Sequence, residues 1–175
     1  ENFNVTPGAV TTVSVPDGAQ LGDGSSGDPE NRAVHVTAVD EVSVYGLNRL
    51  QATTDAFLGL PTDVMTTEYI NLGWPAPGVA QGLNSELSVV ATEDGTDVTY
   101  TPTADTTAGV TAGTATTKTL NKGEALPVQS ATGDLSGSTV TSTKPVAVFG
   151  GHECANVPDN NTYACDFLVE QIPGT

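Results

Sequence analysis

The densest set of chemistry-bearing side chains lies near the C-terminus: Gly151-His152-Glu153-Cys154, then Cys165, Asp166 and Glu170. One imidazole and three carboxylates (Glu153, Asp166, Glu170) beside a single loop are donors of the kind that bind a metal ion or form a glycan-binding rim. The same residues have a structural use. Asp166 can cap the turn after the loop, and His152 can hydrogen-bond to backbone and hold the loop in place. Cys154 and Cys165 are the only two cysteines. Two thiols in one loop favour a disulfide over a metal site, which would want four ligands. A bridge closing a loop of this length contributes about 2.5–3 kcal/mol in the loop-entropy model and implies an oxidising compartment. The other reading is a pair of reduced thiols in a cytosolic loop.

A second acidic group, Asp17, Asp23, Asp28 and Glu30, sits on a Gly-rich loop and offers oxygen ligands for Ca²⁺. Its spacing does not meet the EF-hand pattern, so any calcium site would be irregular. His35 has no second ligand near it in sequence and reads as the solvent or partner face of a strand. Trp74, followed by Pro75 and Pro77, reads as a core or edge plug, or as a carbohydrate-stacking platform if exposed. Asn4-Val-Thr6 and Asn160-Asn-Thr162 match N-glycosylation sequons. There is no Gly-x-Ser-x-Gly elbow, no His-Glu-x-x-His and no phosphate-cradling Gly-x-x-x-x-Gly-Lys. The chain is therefore expected not to be an enzyme.

The balance of 21 acidic against 5 basic residues gives a formal charge of −16. Such a surface repels nucleic acid and anionic membranes, which require clustered Lys or Arg. Solubility, including in a salty medium, is the plain meaning of the charge; gathering of calcium is the sharper one. No stretch approaches the roughly 18 apolar residues that span a bilayer. No signal peptide is evident, so the chain is expected to be a mature form or a piece of something longer.

The elements that must position these groups read as short strands. β-Branched residues with regular Gly and Pro punctuation indicate an all-β domain. Alternation marks Phe3 and Val5, Thr12–Val15, Val34–Thr37, Val42–Tyr45, Glu68–Leu72, and the pair Glu86–Thr92 and Asp97–Thr101. Asp94-Gly95 between the last two predicts a tight hairpin turn. The pattern also repeats. Val36-Thr-Ala-Val-Asp-Glu-Val-Ser-Val-Tyr-Gly46 returns as Val140-Thr-Ser-Thr-Lys-Pro-Val-Ala-Val-Phe-Gly150, 104 positions later. Each copy is followed by a related closing phrase, Asp55-Ala-Phe-Leu-Gly-Leu-Pro61 and Asp166-Phe-Leu-Val-Glu-Gln-Ile-Pro173. Thr117-Lys-Thr-Leu-Asn-Lys-Gly123 echoes Thr12-Val-Ser-Val-Pro-Asp-Gly18 at an offset of 105. A period this long suits a β-sandwich built from two duplicated antiparallel halves rather than a solenoid. One domain over residues 1–175 is expected, with halves at about 1–80 and 81–175, about ten to fourteen strands and very little helix.

Thr141–Pro158 followed by Ala164–Pro173 resembles the N-terminal domain family of the IgG Fc-binding protein. Ser88–Pro102, Leu120-Asn-Lys-Gly123 and Phe57-Leu-Gly-Leu-Pro61 resemble that family's phrases in the same order. Relatives of the family occur in secreted animal mucin-like proteins and in large bacterial surface proteins. The acidic excess and the Asp/Gly loop at 17–31 look more like the bacterial, adhesin-type relatives. The resemblance implies an extracellular or cell-surface binding module, part of a larger protein, that displays loops to a glycan or protein partner on a cell surface. Neighbouring domains of the same long chain are its other expected partners. Two further readings are a structural spacer in a surface fibre, with no ligand of its own, and a hydrolase acting on surface polysaccharide.

Overall fold

The computed structural model describes residues 1–22, 24–75, 83–158, 162 and 164–175. Among the described residues there are nine strands, two single-turn 3₁₀ segments and no α-helix. The strands are β1 (Val44–Leu50), β2 (Thr53–Gly59), β3 (Thr66–Ile70), β4 (Ser85–Ala91), β5 (Thr96–Thr101), β6 (Thr116–Leu120), β7 (Ala125–Gln129), β8 (Thr139–Ala155) and β9 (Asp166–Ile172). All pairings are antiparallel. The fold is all-β and sandwich-like, as the composition implies.

Strand β8, 17 residues long, is the axis. Thr141 lies between Thr99 of β5 and Glu68 of β3, and Val146 between Ala91 of β4 and Thr66 of β3. Further along, Val148 lies between Val89 of β4 and Ile172 of β9. One edge of β8 is thus served by β5 then β4, the other by β3 then β9. Strand β6 extends the sheet beyond β5, and β7 extends it beyond β4.

This pairing corrects the expected hairpin at Asp94-Gly95. Strands β4 and β5 do not pair with each other; they run in the same direction along β8 as one interrupted strand. The interruption falls opposite Lys144-Pro145. Proline has no N–H to give a ladder, so a break in pairing is tolerated there. Residues 92–97 face only 143–145, and the excess loops out through Gly95 at φ +63°. The break is stitched by side chains: Thr92 Oγ1 donates to the Pro145 carbonyl at 2.9 Å, the Asp97 N–H donates to Thr143 Oγ1 at 2.9 Å, and Lys144 Nζ donates to the Asp94 carbonyl.

The core follows from period-2 alternation on these strands. Leu87 and Val89 of β4, Leu126 of β7, Val98 of β5 and Val146 and Val148 of β8 are all within 1% of full burial. Tyr69 joins them with its hydroxyl satisfied, donating to the Val146 carbonyl at 2.6 Å. The N-terminal segment departs from expectation. Residues 12–15 and 34–37 carry strand alternation but form no ladder, and Val13, Val15, Val34 and Val36 are exposed. The middle of that segment is tied down, by a bridge between Glu30 and Ala125 of β7, by the Ala33 N–H donating to the Gly123 carbonyl at 3.1 Å and by the Lys118–Asp28 ion pair.

Leu126 of β7, opposite Val89 of β4 in the ladder, is fully buried in the core. Leu126→Ala is expected to cost about 2–5 kcal/mol, read from the midpoint of urea unfolding with an unchanged slope.

Candidate functional site

The sequence repeat becomes two antiparallel hairpins, β1–β2 and β8–β9, lying against each other. Gly46 lacks a side chain where the ring of its cross-strand partner Phe57 lies, and that ring meets Phe149 edge-on at 5.2 Å. The hairpins are joined by the two repeated aspartates. Asp166 accepts hydrogen bonds from Thr53 Oγ1 at 2.6 Å and the Thr54 N–H at 2.8 Å. Asp55 accepts from the Val169 N–H at 2.8 Å. Each carboxylate also binds the N–H of the residue after it, Phe167 and Ala56. These bonds to the ionised form, led by that from Thr53, hold the Asp166 carboxyl below the usual range. Its cap therefore weakens only in acid.

Cys154 and Cys165 form the disulfide, with Cα atoms 5.0 Å apart. Residues 159–161 and 163, including the asparagines of the second sequon, lie outside the described residues. His152 departs from the expected rim. Its side chain points into the fold and is fully buried, so it does not face a ligand at the surface. Its Nδ1 accepts the Cys154 N–H at 3.0 Å, which orients the start of the loop from beneath. Burial lowers its pKa, opposed in part by the Asp134 carboxylate. The other three proposed residues lie nearer the surface. Asp166 and Glu170 are exposed, and Glu153 is half-buried and accepts the Asn84 N–H at 3.2 Å.

Beside this face lies a cleft of about 370 Å³, lined by Leu72, Gly73, Trp74, Gly150, Gly151 and Leu168, with Asp55, Val169 and Glu170 completing its wall. Trp74 is partly exposed and its indole N–H donates to the Asn156 carbonyl at 3.2 Å. The ring is therefore held in place with part of its surface open. Gly150 and Gly151 form the floor because a Cβ at either would overlap a backbone oxygen, Leu72 O or Leu168 O. An apolar, aromatic-walled hollow with a carboxylate at its lip suits a ligand with both an apolar face and polar edges. Residues 76–82, next to Trp74 in sequence, are not among the described residues.

Glu86 is the group that sequence reasoning missed. It pairs with Gly151 across the ladder, near Glu153, and accepts a long hydrogen bond from Gln129 Nε2 at 3.4 Å. Desolvation, then repulsion from Glu153, pushes its pKa up to about 7, with the Gln129 contact partly offsetting both.

The calcium loop is not assembled as expected. The Glu30 carboxylate is taken by the Gly22 N–H and by Arg32 at 3.1 Å, and Asp28 by Lys118 at 3.1 Å. Asp17 stands apart on a 3₁₀ turn, and Asp23 is outside the described residues. Among the described residues no group of three or more His, Cys, Asp or Glu side chains is placed to hold a metal ion. Nor is any helix among them long and apolar enough to cross a membrane.

These features define an all-β module whose C-terminal hairpin carries a disulfide-closed loop beside an aromatic cleft. A family model described as IgGFc binding protein matches residues 55–175, and the chain belongs to that family. The human IgGFc-binding protein is 34% identical over 134 residues, which is 75% of this chain and 2% of that protein's length. No solved structure matches the chain.

Between pH 4.5 and about 7 the folded chain retains a proton on Glu86 that the unfolded chain has released, so stability falls as pH rises through that window. Glu86→Gln should remove this slope and raise stability at pH 8 by about 1–3 kcal/mol, seen as melting curves that converge with wild type near pH 4. The pair Cys154→Ser and Cys165→Ser should lose about 2.5–3 kcal/mol, measured by denaturant unfolding under non-reducing conditions.

Proposed function

We propose that this chain is a non-enzymatic binding module of an extracellular protein, engaging a protein or glycan partner through the Trp74 cleft and the adjoining disulfide-closed loop. The cleft carries the reading. It places an anchored, partly exposed indole and the Glu170 carboxylate on one concave surface, the kind of apolar anchor with polar edge that gives a recognition surface its affinity and orientation. The disulfide supports an oxidising location, and the family name supports a binding role. The acidic surface favours a neutral or basic partner, since like charges across an interface are costly. In this arrangement Glu153, Asp166 and Glu170 edge the face, while His152 and the disulfide fix its backbone from below.

The alternative of a structural spacer with no ligand of its own draws on the unpaired N-terminal strand segments, which suit a chain continuous with neighbouring domains.

The test is immobilised protein probed with immunoglobulin Fc and with a glycan array. Trp74→Ala and Glu170→Ala should each weaken binding tenfold or more, about 1.4 kcal/mol, while leaving the melting temperature of the module close to wild type. Binding unaffected by both variants would exclude the cleft; no binding to any probe would favour the spacer.

A further inference from the structure

Hairpin β1–β2 has two outer edges, and side chains close only one of them. In an antiparallel pair, facing residues either bond to each other or both turn their N–H and C=O groups away. On β2 the Thr54 N–H donates to Asp166 and the Ala56 N–H to Asp55, both at 2.8 Å. Just past the strand, the Leu60 N–H donates to Gln171 at 2.7 Å. Thr54 and Ala56 therefore turn away from β1, and the edge they form is capped against a further strand.

The same alternation fixes the edge of β1. Arg49 and Leu47 face Thr54 and Ala56, and Tyr45 faces Leu58. Tyr45, Leu47 and Arg49 thus direct their N–H and C=O groups away from β2, onto an edge that no strand or bridge among the described residues pairs with. The side chains beside this edge are apolar. Tyr45 is 70% exposed, Leu47 64% and Leu58 47%. The outward face of the hairpin, Tyr45, Leu47, Arg49, Thr54, Ala56 and Leu58, carries no carboxylate in a chain with 21 acidic residues. Arg49 is its one charge. Natural sheets cover or blunt an edge of this kind.

A second copy of the chain fits it position by position. Antiparallel pairing of two β1 strands about a two-fold axis at Leu47 sets Leu47 against Leu47 and Tyr45 against Arg49. Val44 then meets Leu50. The residues that turn outward on one copy face the same residues on the other, so their N–H and C=O groups can be exchanged across the axis. Each guanidinium comes beside a tyrosine ring, a favourable pairing, and no like charges face each other. A two-fold contact uses up the open edge of both copies and closes the assembly.

We infer that β1 is a self-association strand: two copies of this chain join antiparallel along their β1 edges, centred on Leu47, to form a four-stranded sheet in the order β2–β1–β1–β2. The capped edge of β2 ends that sheet on either side.

The experiment follows the chain by sedimentation velocity over a concentration series, with hydrogen exchange over Val44–Leu50 read by mass spectrometry. A reversible dimer is expected, with exchange over Val44–Leu50 slowing by roughly tenfold or more as the dimer fills. Leu47→Lys sets two lysines against each other on the axis and should weaken association by about tenfold or more, while the melting temperature of the monomer stays near wild type. Tyr45→Lys should weaken it similarly by facing Arg49 of the second copy. Tyr45→Lys combined with Arg49→Glu should restore association, a rescue that a general loss of structure would not give. A chain that is monomeric at every concentration would overturn the inference, as would a dimer indifferent to Leu47→Lys. Protection of Val44–Leu50 only on adding a different protein would also overturn it, because the occupant would then be another partner's strand.

Discussion

Strand β8 has two edges to satisfy over its whole length, and the rest of the structure is arranged to satisfy them. A central strand presents an N–H or C=O to one side or the other at every residue, and each one left unpaired in the interior carries a desolvation cost. No single neighbour spans Thr139–Ala155, so each edge is covered by two strands in series: β5 and β4 on one, β3 and β9 on the other. The joint on the first edge falls at Lys144-Pro145, where the backbone cannot donate and side chains of Thr92, Thr143 and Lys144 take over. On the second edge the Thr175 N–H donates to the Glu68 carbonyl at 3.0 Å and closes the joint between β9 and β3.

The site inherits its geometry from the second of these joints. Strand β8 leaves the shared core at Gly150-Gly151, where the absence of side chains lets the 71–73 segment and β9 approach closely. Beyond that point His152 turns inward and the chain enters the disulfide loop. Two glycines thus make the floor of the cleft, and Trp74 makes a wall because its preceding strand, β3, lies against the same axis. Electrostatics adds a constraint of its own. With β4 laid beside β8, Glu86 is buried near Glu153, and burial first, then repulsion from Glu153, pushes its pKa up to about 7.

The strands of the second half were legible from alternation alone, because each has one face in the core: Ser85–Ala91, Thr96–Thr101 and the Val-x-Val-Phe run of β8 alternate cleanly. The disulfide was legible because there are only two cysteines. The direction of β5 was not. Asp94-Gly95 carries the residue chemistry of a hairpin turn, and only the partner strand, with its proline at 145, shows that the turn is a looped-out break. Thr12–Val15 and Val34–Thr37 have the right local pattern and no partner, so propensity without pairing overstated the number of strands. The sequence allows His152 two readings, a rim ligand or a group bonded to backbone, and the ladder from Ser85 to His152 carries it inward, where it takes the second. Glu86 gave no signal; its perturbation comes from burial first and from Glu153 second, and both follow from the pairing of β4 with β8.

The reciprocal aspartates have a mechanical meaning. Among the described residues hairpin β1–β2 forms no ladder outside itself, and it is attached to β8 and β9 by the Asp55 and Asp166 bonds, the Leu60 N–H to Gln171 contact at 2.7 Å and the Phe57–Phe149 pair. No ladder of the β8-centred sheet runs into this hairpin, so it can open by losing side-chain bonds and one ring contact while every ladder behind it stays paired. Local opening of this kind requires less free energy than global unfolding.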